Sequence, residues 1–237
     1  QVLDREDAVL GFFHRWCEVF AEEVEQLTVF AHDVGDVDLP DHVRVVSLGR
    51  DRGRSRVGRF VALQKGLWRL TGADRPDALW VHMVPRLGLF AAPVALLRRI
   101  PLFLWYTHKG VDRNLRMVVR LVQKVFTASE ESFRLTTKHA QAKTLITGHG
   151  IDCDVFRPGT KKRSVDVVCL GRIAPSKGQA ELLEALELLS PCPSTKIVGD
   201  ILLQRDIPYR DKVSDRAGKL GEAVGLTGAL SHEEIPQ

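Results

Sequence analysis

The chain has 237 residues, a net charge of +4, and apolar and charged fractions of 44% and 27%, ordinary values for a soluble globular protein of two small α/β domains or one large one. No apolar run is long enough to cross a bilayer, and the sequence reads as lacking a signal peptide. The four cysteines, Cys17, Cys153, Cys169 and Cys192, have no metal-ligand spacing and read as reduced thiols of a cytoplasmic protein.

Taken in order, Gln1–Leu3 is the tail of a strand, and Leu10, Phe13, Cys17, Phe20 and Val24 recur at helical spacing within a helix over Glu6–Val24. Strands follow at Leu27–Ala31 and Val43–Leu48, separated by the acidic, turn-forming DVGDVDLPD. A helix over Ser55–Leu70 is expected to carry Val57, Phe60, Val61, Leu67 and Trp68 inward. Ala78–Met83 is a short strand ending on His82, and Leu87–Leu97 is an apolar crossover helix kinked at Pro93. Strand Leu102–Tyr106 delivers Thr107, His108 and Lys109. A helix over Asn114–Val122 and a strand over Val125–Ala128 come next, then a short helix capped by Ser129 with Glu130 and Glu131 in its first turn. Thr144–Thr147 is one more strand, and Arg157–Arg163 has the composition of an exposed linker.

Beyond the linker the strand–helix alternation restarts, with strand 165–170, helix 177–189, strand Thr195–Val198, helix 207–220 and strand Ala223–Thr227. Such alternation predicts parallel sheets covered by helices, hence two Rossmann-like domains over residues 1–156 and 157–237. Ligands of such sheets collect at the carboxyl ends of the strands, where His82, His108 and Arg172 fall.

The stretch SVDVVCLGRIAPSKGQAELLEALELL, Ser164–Leu189, is the most telling. A β-branched strand breaks at Gly171, a polar loop holds Arg172 and Lys177, and a helix starts with Ser176 as N-cap and Gln179 as capping-box partner. Two cations and a helix N-terminus at one strand tip predict an anion site, a phosphate being the natural occupant. The P-loop pattern cannot be laid on GRIAPSKG, and no G-x-G-x-x-G follows the strand. A phosphate held by side-chain cations remains.

Read together, GRIAPSKG, TASEES, GHGIDCDVFRP, IVGD and LTGALSHEEIP resemble the family-4 retaining glycosyltransferases, whose GT-B fold sets two Rossmann-like domains face to face. The resemblance runs to Gln237 but departs at both ends. The first strand and its glycine-rich turn are reduced to Gln1–Leu3. The family's pair of glutamates eight positions apart is absent, since no two Glu in the chain have that spacing. The chain therefore reads as part of a longer enzyme, truncated at both ends, with an incomplete second domain.

The resemblance implies that Arg172 and Lys177, with Gly171, contact the diphosphate of a nucleotide-sugar donor, and that the reaction needs no metal or other cofactor. It implies that His108 faces the reacting sugar. His82, at a strand tip on the acceptor side, either packs or lines the cleft there, and Lys109 is placed on the same side. His149 stands where the family usually has asparagine, and no role is assigned to it. His14, mid-helix, is expected in the core. Asp152–Cys153–Asp154 spells a DxD metal motif, but its place before the linker reads as a chance match.

Arg50, Arg52, Arg54, Arg56 and Arg59 form the densest positive run. A solvated face is its default reading. The alternative is a phosphate-bearing acceptor or, carried by Arg50, Arg52, Arg56 and Arg59, an anionic membrane surface, leaving the protein cytoplasmic but peripheral to the inner face of the membrane. The aromatic interleaving of a nucleic-acid platform is absent. The reading is a nucleotide-sugar-dependent glycosyltransferase acting on a sugar or lipid-linked acceptor. A sugar-nucleotide epimerase on the same fold, or a non-catalytic nucleotide-binding fragment, are the alternatives.

Overall fold

A computed structural model describes residues 2–7, 10–70, 72–154, 156–157, 159, 164–230 and 234–235. Most of the expected linker, Gln1, and parts of GHGIDCDVFRP and LTGALSHEEIP lie outside them. The chain divides into two units, one of Gln1–Asp4 with Phe13–Asp152, the other of Arg5–Phe12 with Cys153–Gln237.

In chain order the first unit holds β1 (Val2–Leu3), α1 (Phe12–Glu22), β2 (Leu27–Ala31), β3 (Asp33–Val34), β4 (Val43–Ser47) and α2 (Arg56–Arg69). It continues with β5 (Leu79–His82), α3 (Pro85–Arg98), β6 (Leu102–Trp105), α4 (Arg113–Leu121), β7 (Lys124–Thr127), α5 (Lys138–Lys143) and β8 (Thr144–Ile146). Every strand pair is parallel: β1 with β3, β2 with β4, and β5-β6-β7-β8 in sequential order. Val2 and Leu3 thus do form a strand, Val2 facing Asp33 and Leu3 facing Val34.

α1 starts six residues later than expected. The Asp7 carboxylate accepts from Leu10 N and the Asp7 carbonyl from Gly11 N, so a turn precedes it. His14 is buried, as expected, with Asp38 N donating to its Nε2. Ser129 closes a turn with Ser132 and starts no helix.

The inward face of α2 differs most from expectation. Leu63 and Leu67 are buried, whereas Val57, Phe60, Val61 and Trp68 are exposed. Gly66 explains the rotation: a Cβ there would stand 2.3 Å from the Phe30 ring on β2. Only the glycine face can approach the sheet that closely, and it takes Leu63 and Leu67 with it. Lys143 donates to the carbonyls of Val119, Arg120 and Val122 and so caps α4.

The second unit holds β9 (Val167–Leu170), α6 (Gln179–Leu186), β10 (Thr195–Val198), α7 (Ile207–Lys219) and β11 (Val224–Gly228), with a parallel sheet ordered β11-β10-β9. Its core joins Ile173, Leu183, Leu186, Ile197 and Val213. α6 ends at Leu186, three residues short of the expected end at 189, and Leu189 is exposed.

Candidate functional sites

In the second unit, the tip of β9 is shaped by two glycines. Gly171 has φ +146° and Gly199, after β10, has φ +137°. A Cβ on Gly199 would stand 2.1 Å from the Gly171 carbonyl oxygen. The two strand tips therefore meet backbone to backbone, with Gly171 N donating to Val198 O at 2.9 Å and Ile173 N to Asp200 O at 2.9 Å. The stem of Lys177 passes over Gly171, its Cδ and Cε 3.9 Å from where a Cβ would stand. Arg172 and Lys177 are both exposed. Among the described residues neither is tied by an ion pair or a side-chain hydrogen bond, unlike Arg216, which meets Glu184 and Glu187.

The start of the helix corrects the capping-box expectation. Pro175–Lys177 is a short 3-10 turn, and Gly178, in the left-handed region, is the N-cap of α6. Ser176 makes no cap there. Gln179 is fully buried and donates from Nε2 to the Arg172 carbonyl at 2.9 Å. The expected free N–H groups are also engaged: Ala180 N donates to the Tyr209 hydroxyl, which in turn donates to Glu181. Glu181's own backbone N–H holds its carboxyl below the usual range, with Tyr209 and the charges of Lys212 and Arg216 adding to it. A carboxylate already occupies the first turn of α6, so an anion at this tip meets the cations and not the helix dipole.

In the first unit, the carboxyl ends of β5 and β6 enclose a cavity of about 410 Å³ lined by Met83, Arg86, Tyr106, His108, Asp112 and Asn114. Met83, just past β5, has φ +60° and accepts from Thr107 N at its sulfur, a conformation that costs a non-glycine residue about 1 kcal/mol. It turns the chain out of the strand and into α3. Tyr106 donates its hydroxyl to Gly110 O at 2.7 Å, and Gly110 N donates to His108 Nδ1 at 2.9 Å. That bond fixes the neutral His108 ring with its proton on Nε2, a hydrogen-bond donor. Asp112 is occupied as the cap of α4, accepting from Leu115 N.

His82 and Lys109 are not among the walls of this cavity. His82 stacks on Phe13 at 4.7 Å and meets Trp16 edge-on. Burial chiefly pushes its pKa down to about 4. It packs, as a neutral aromatic. His149 joins the same cluster beside Trp16 and Trp105. Asp152 of the DxD pattern is ion-paired with Arg15 at 3.0 Å. In the arginine run, Arg50 pairs with Asp33, Arg52 lies 3.7 Å from Asp51, and Arg59 donates to Arg54 O.

Sequence reasoning missed Met83, Arg86, Tyr106, Asp112 and Asn114, because two strand ends and two helix starts far apart in sequence build the cavity. It also missed Gly199, whose signal was present: a glycine directly after an apolar strand, as at Gly171.

No protein-family profile matches the chain, and no curated protein sequence does. Solved structures do. HepE from Anabaena in complex with UDP superposes with a TM-score of 0.65 over 96% of this chain and 68% of its own, at 18% identity. A glycosyltransferase from Rickettsia africae gives 0.68 over 98% and 68%, at 14% identity. The fold is GT-B-like. A putative UDP-N-acetylglucosamine 2-epimerase from Listeria monocytogenes is also similar, with a TM-score of 0.61 over 99% of this chain and 70% of its own, at 11% identity. The tip of β9 in the second unit is a strand end of the kind where such sheets gather ligands.

Proposed function

We propose that the chain belongs to a metal-independent, retaining glycosyltransferase of family-4 type that moves a sugar from a nucleotide-diphosphate donor to an acceptor. The donor binds the second unit, with its diphosphate on Arg172, Lys177 and the Gly171 backbone, and the acceptor binds the first. The observation that carries the reading is the pair of exposed cations, without carboxylate partners among the described residues, at the glycine-formed tip of β9. HepE, a similar fold, has been solved with UDP-glucose, which fits a nucleotide-sugar ligand.

As the sugar–phosphate bond breaks, negative charge grows on the leaving phosphate while the sugar becomes oxocarbenium-like. Fixed cations stabilise that charge more in the transition state than in the ground state, which is the differential effect that catalysis requires. His108 donates from Nε2 to position or polarise the sugar and acceptor.

A sugar-nucleotide epimerase shares the donor site and is the second reading, favoured by the Listeria epimerase-like fold. Thermal stability with and without UDP tests donor binding by the chain. Product analysis with UDP-sugars in the full-length parent enzyme separates the chemistries: a glycosylated acceptor supports transfer, and an epimerised sugar, free or on UDP, without an acceptor product supports epimerisation.

A further inference from the structure

The outer surface of α2 and α3 combines exposed apolar side chains with one sign of charge. On α2, Val57, Phe60, Val61 and Trp68 recur at three-, four- and seven-residue steps, and Val57 is 72% exposed. On α3, Phe90, Pro93 and Leu97 follow the same row, with Leu97 71% exposed and Pro93 exposed. The two rows meet, since Phe60 packs edge-on to Phe90 at 4.9 Å and Gln64 donates to Phe90 O. The exposed apolar side chains of the two helices thus adjoin at Phe60 and Phe90, and apolar exposure grouped in this way marks interaction sites.

Every charged residue within α2 and α3 is positive. No carboxylate occurs between Asp51 and Asp74 or between Asp77 and Asp112, while those stretches carry Arg56, Lys65, Arg86, Arg98 and Arg99. Lys65 stands one turn after Val61 in the same row, and Arg86 one turn before Phe90. The Arg98 guanidinium lies 5.0 Å over the Trp68 ring while donating to Trp68 O and Leu70 O. That stacking fixes Trp68 at the surface with an apolar face and a cation together.

We propose that the α2–α3 face docks on an anionic phospholipid surface, its apolar side chains entering the headgroup–acyl boundary and the cations meeting lipid phosphates. An apolar row flanked by Lys and Arg, with a tryptophan at its edge and no acid, is the composition of an interfacial helix. The site lies beside the arginine run noted in the sequence but is not identical to it. Arg50, Arg52 and Arg59 are engaged by neighbours, and Arg56 alone of those four belongs to the face. The proposal is independent of the donor reading, because docking needs no nucleotide.

The test is co-sedimentation of the chain with vesicles of phosphatidylcholine alone or mixed with phosphatidylglycerol. Binding to the mixed vesicles only, weakened by salt, is expected, with each cation removed costing about fivefold in partitioning. Val57→Ser with Leu97→Ser, and separately Arg56→Glu with Lys65→Glu, should each abolish sedimentation while leaving the circular dichroism and thermal midpoint unchanged. Binding untouched by both pairs, or no binding to the mixed vesicles, overturns the proposal. Concentration-dependent self-association relieved by Leu97→Ser, without lipid binding, would assign the face to a second copy instead.

Discussion

Gln179 donates its side-chain N–H to the backbone carbonyl of Arg172 at 2.9 Å from a fully buried position. The bond ties the loop that carries the first cation to the first turn of α6. Gln179→Leu leaves the Arg172 carbonyl without that partner, and the expected cost is about 1–3 kcal/mol of stability. Because the loop then loosens, affinity for UDP should fall as well, although Gln179 itself touches no ligand. Chemical denaturation and UDP titration of the same variant read the two effects. A variant that loses stability and binds UDP as the parent does would leave Gln179 a purely structural residue.

Gly199 and Gly218 give opposite predictions for one substitution. Gly199→Ala places a methyl 2.1 Å from Gly171 O in a backbone region that L-residues avoid, so a loss of more than about 2 kcal/mol is expected. Gly218, inside α7, has nothing within 4 Å of its Cβ position, and Gly218→Ala should stabilise by about 0.5–1 kcal/mol. Urea midpoints of the two variants check the pair.

Acid should destabilise the first unit through its histidines. Burial chiefly holds His82 and His32 at a pKa of about 4, below the ordinary histidine value of 6.5. A histidine depressed in the folded state binds its proton more readily when unfolded. Its neutral form therefore contributes fully above about pH 6.5, and the contribution is lost as pH falls toward about 4. His82 should cost roughly 2 kcal/mol between about pH 7.5 and about pH 5, and the more solvent-exposed His32 clearly less. Denaturation of His82→Phe at both pH values should show a shallower pH dependence than the parent chain. An identical dependence would show that His82 is not held neutral.

The His108 ring accepts from Gly110 N at Nδ1 and so offers Nε2–H. In a catalytically competent parent enzyme, His108→Ala should lower turnover by roughly 10²-fold or more. His108→Gln, which keeps an N–H donor, should retain part of it. The side chain is exposed, so the thermal midpoint should stay unchanged in both. Full activity in the alanine variant would remove His108 from the chemistry.

Much of the fold was legible in the sequence because strands and helices here are short, apolar and periodic. Thr195–Val198 is the strand expected, and α7 runs over Ile207–Lys219 where 207–220 was read. What local pattern could not give is the face that each helix buries. On α2 that choice was made by Gly66 against Phe30, a contact between residues 36 positions apart. The N-cap of α6 moved from Ser176 to Gly178 because Pro175–Lys177 closes a 3-10 turn first. At the tip of β9, Gly171, Arg172 and Lys177 were readable as one cluster from spacing, but that neither cation is paired among the described residues was not. The cavity around His108 was legible only at His108, since its other walls assemble through strand pairing.

The central claim is that Arg172 and Lys177 grip a nucleotide diphosphate, and UDP titration of Arg172→Ala/Lys177→Ala tests it most directly. With charge-assisted bonds contributing about 1.5–3 kcal/mol each, affinity should fall by roughly a hundredfold or more. Arg210→Ala, whose guanidinium is already paired with Asp211, should bind as the parent chain does. An unchanged Kd in the double variant, with the fold intact by circular dichroism, would contradict the account.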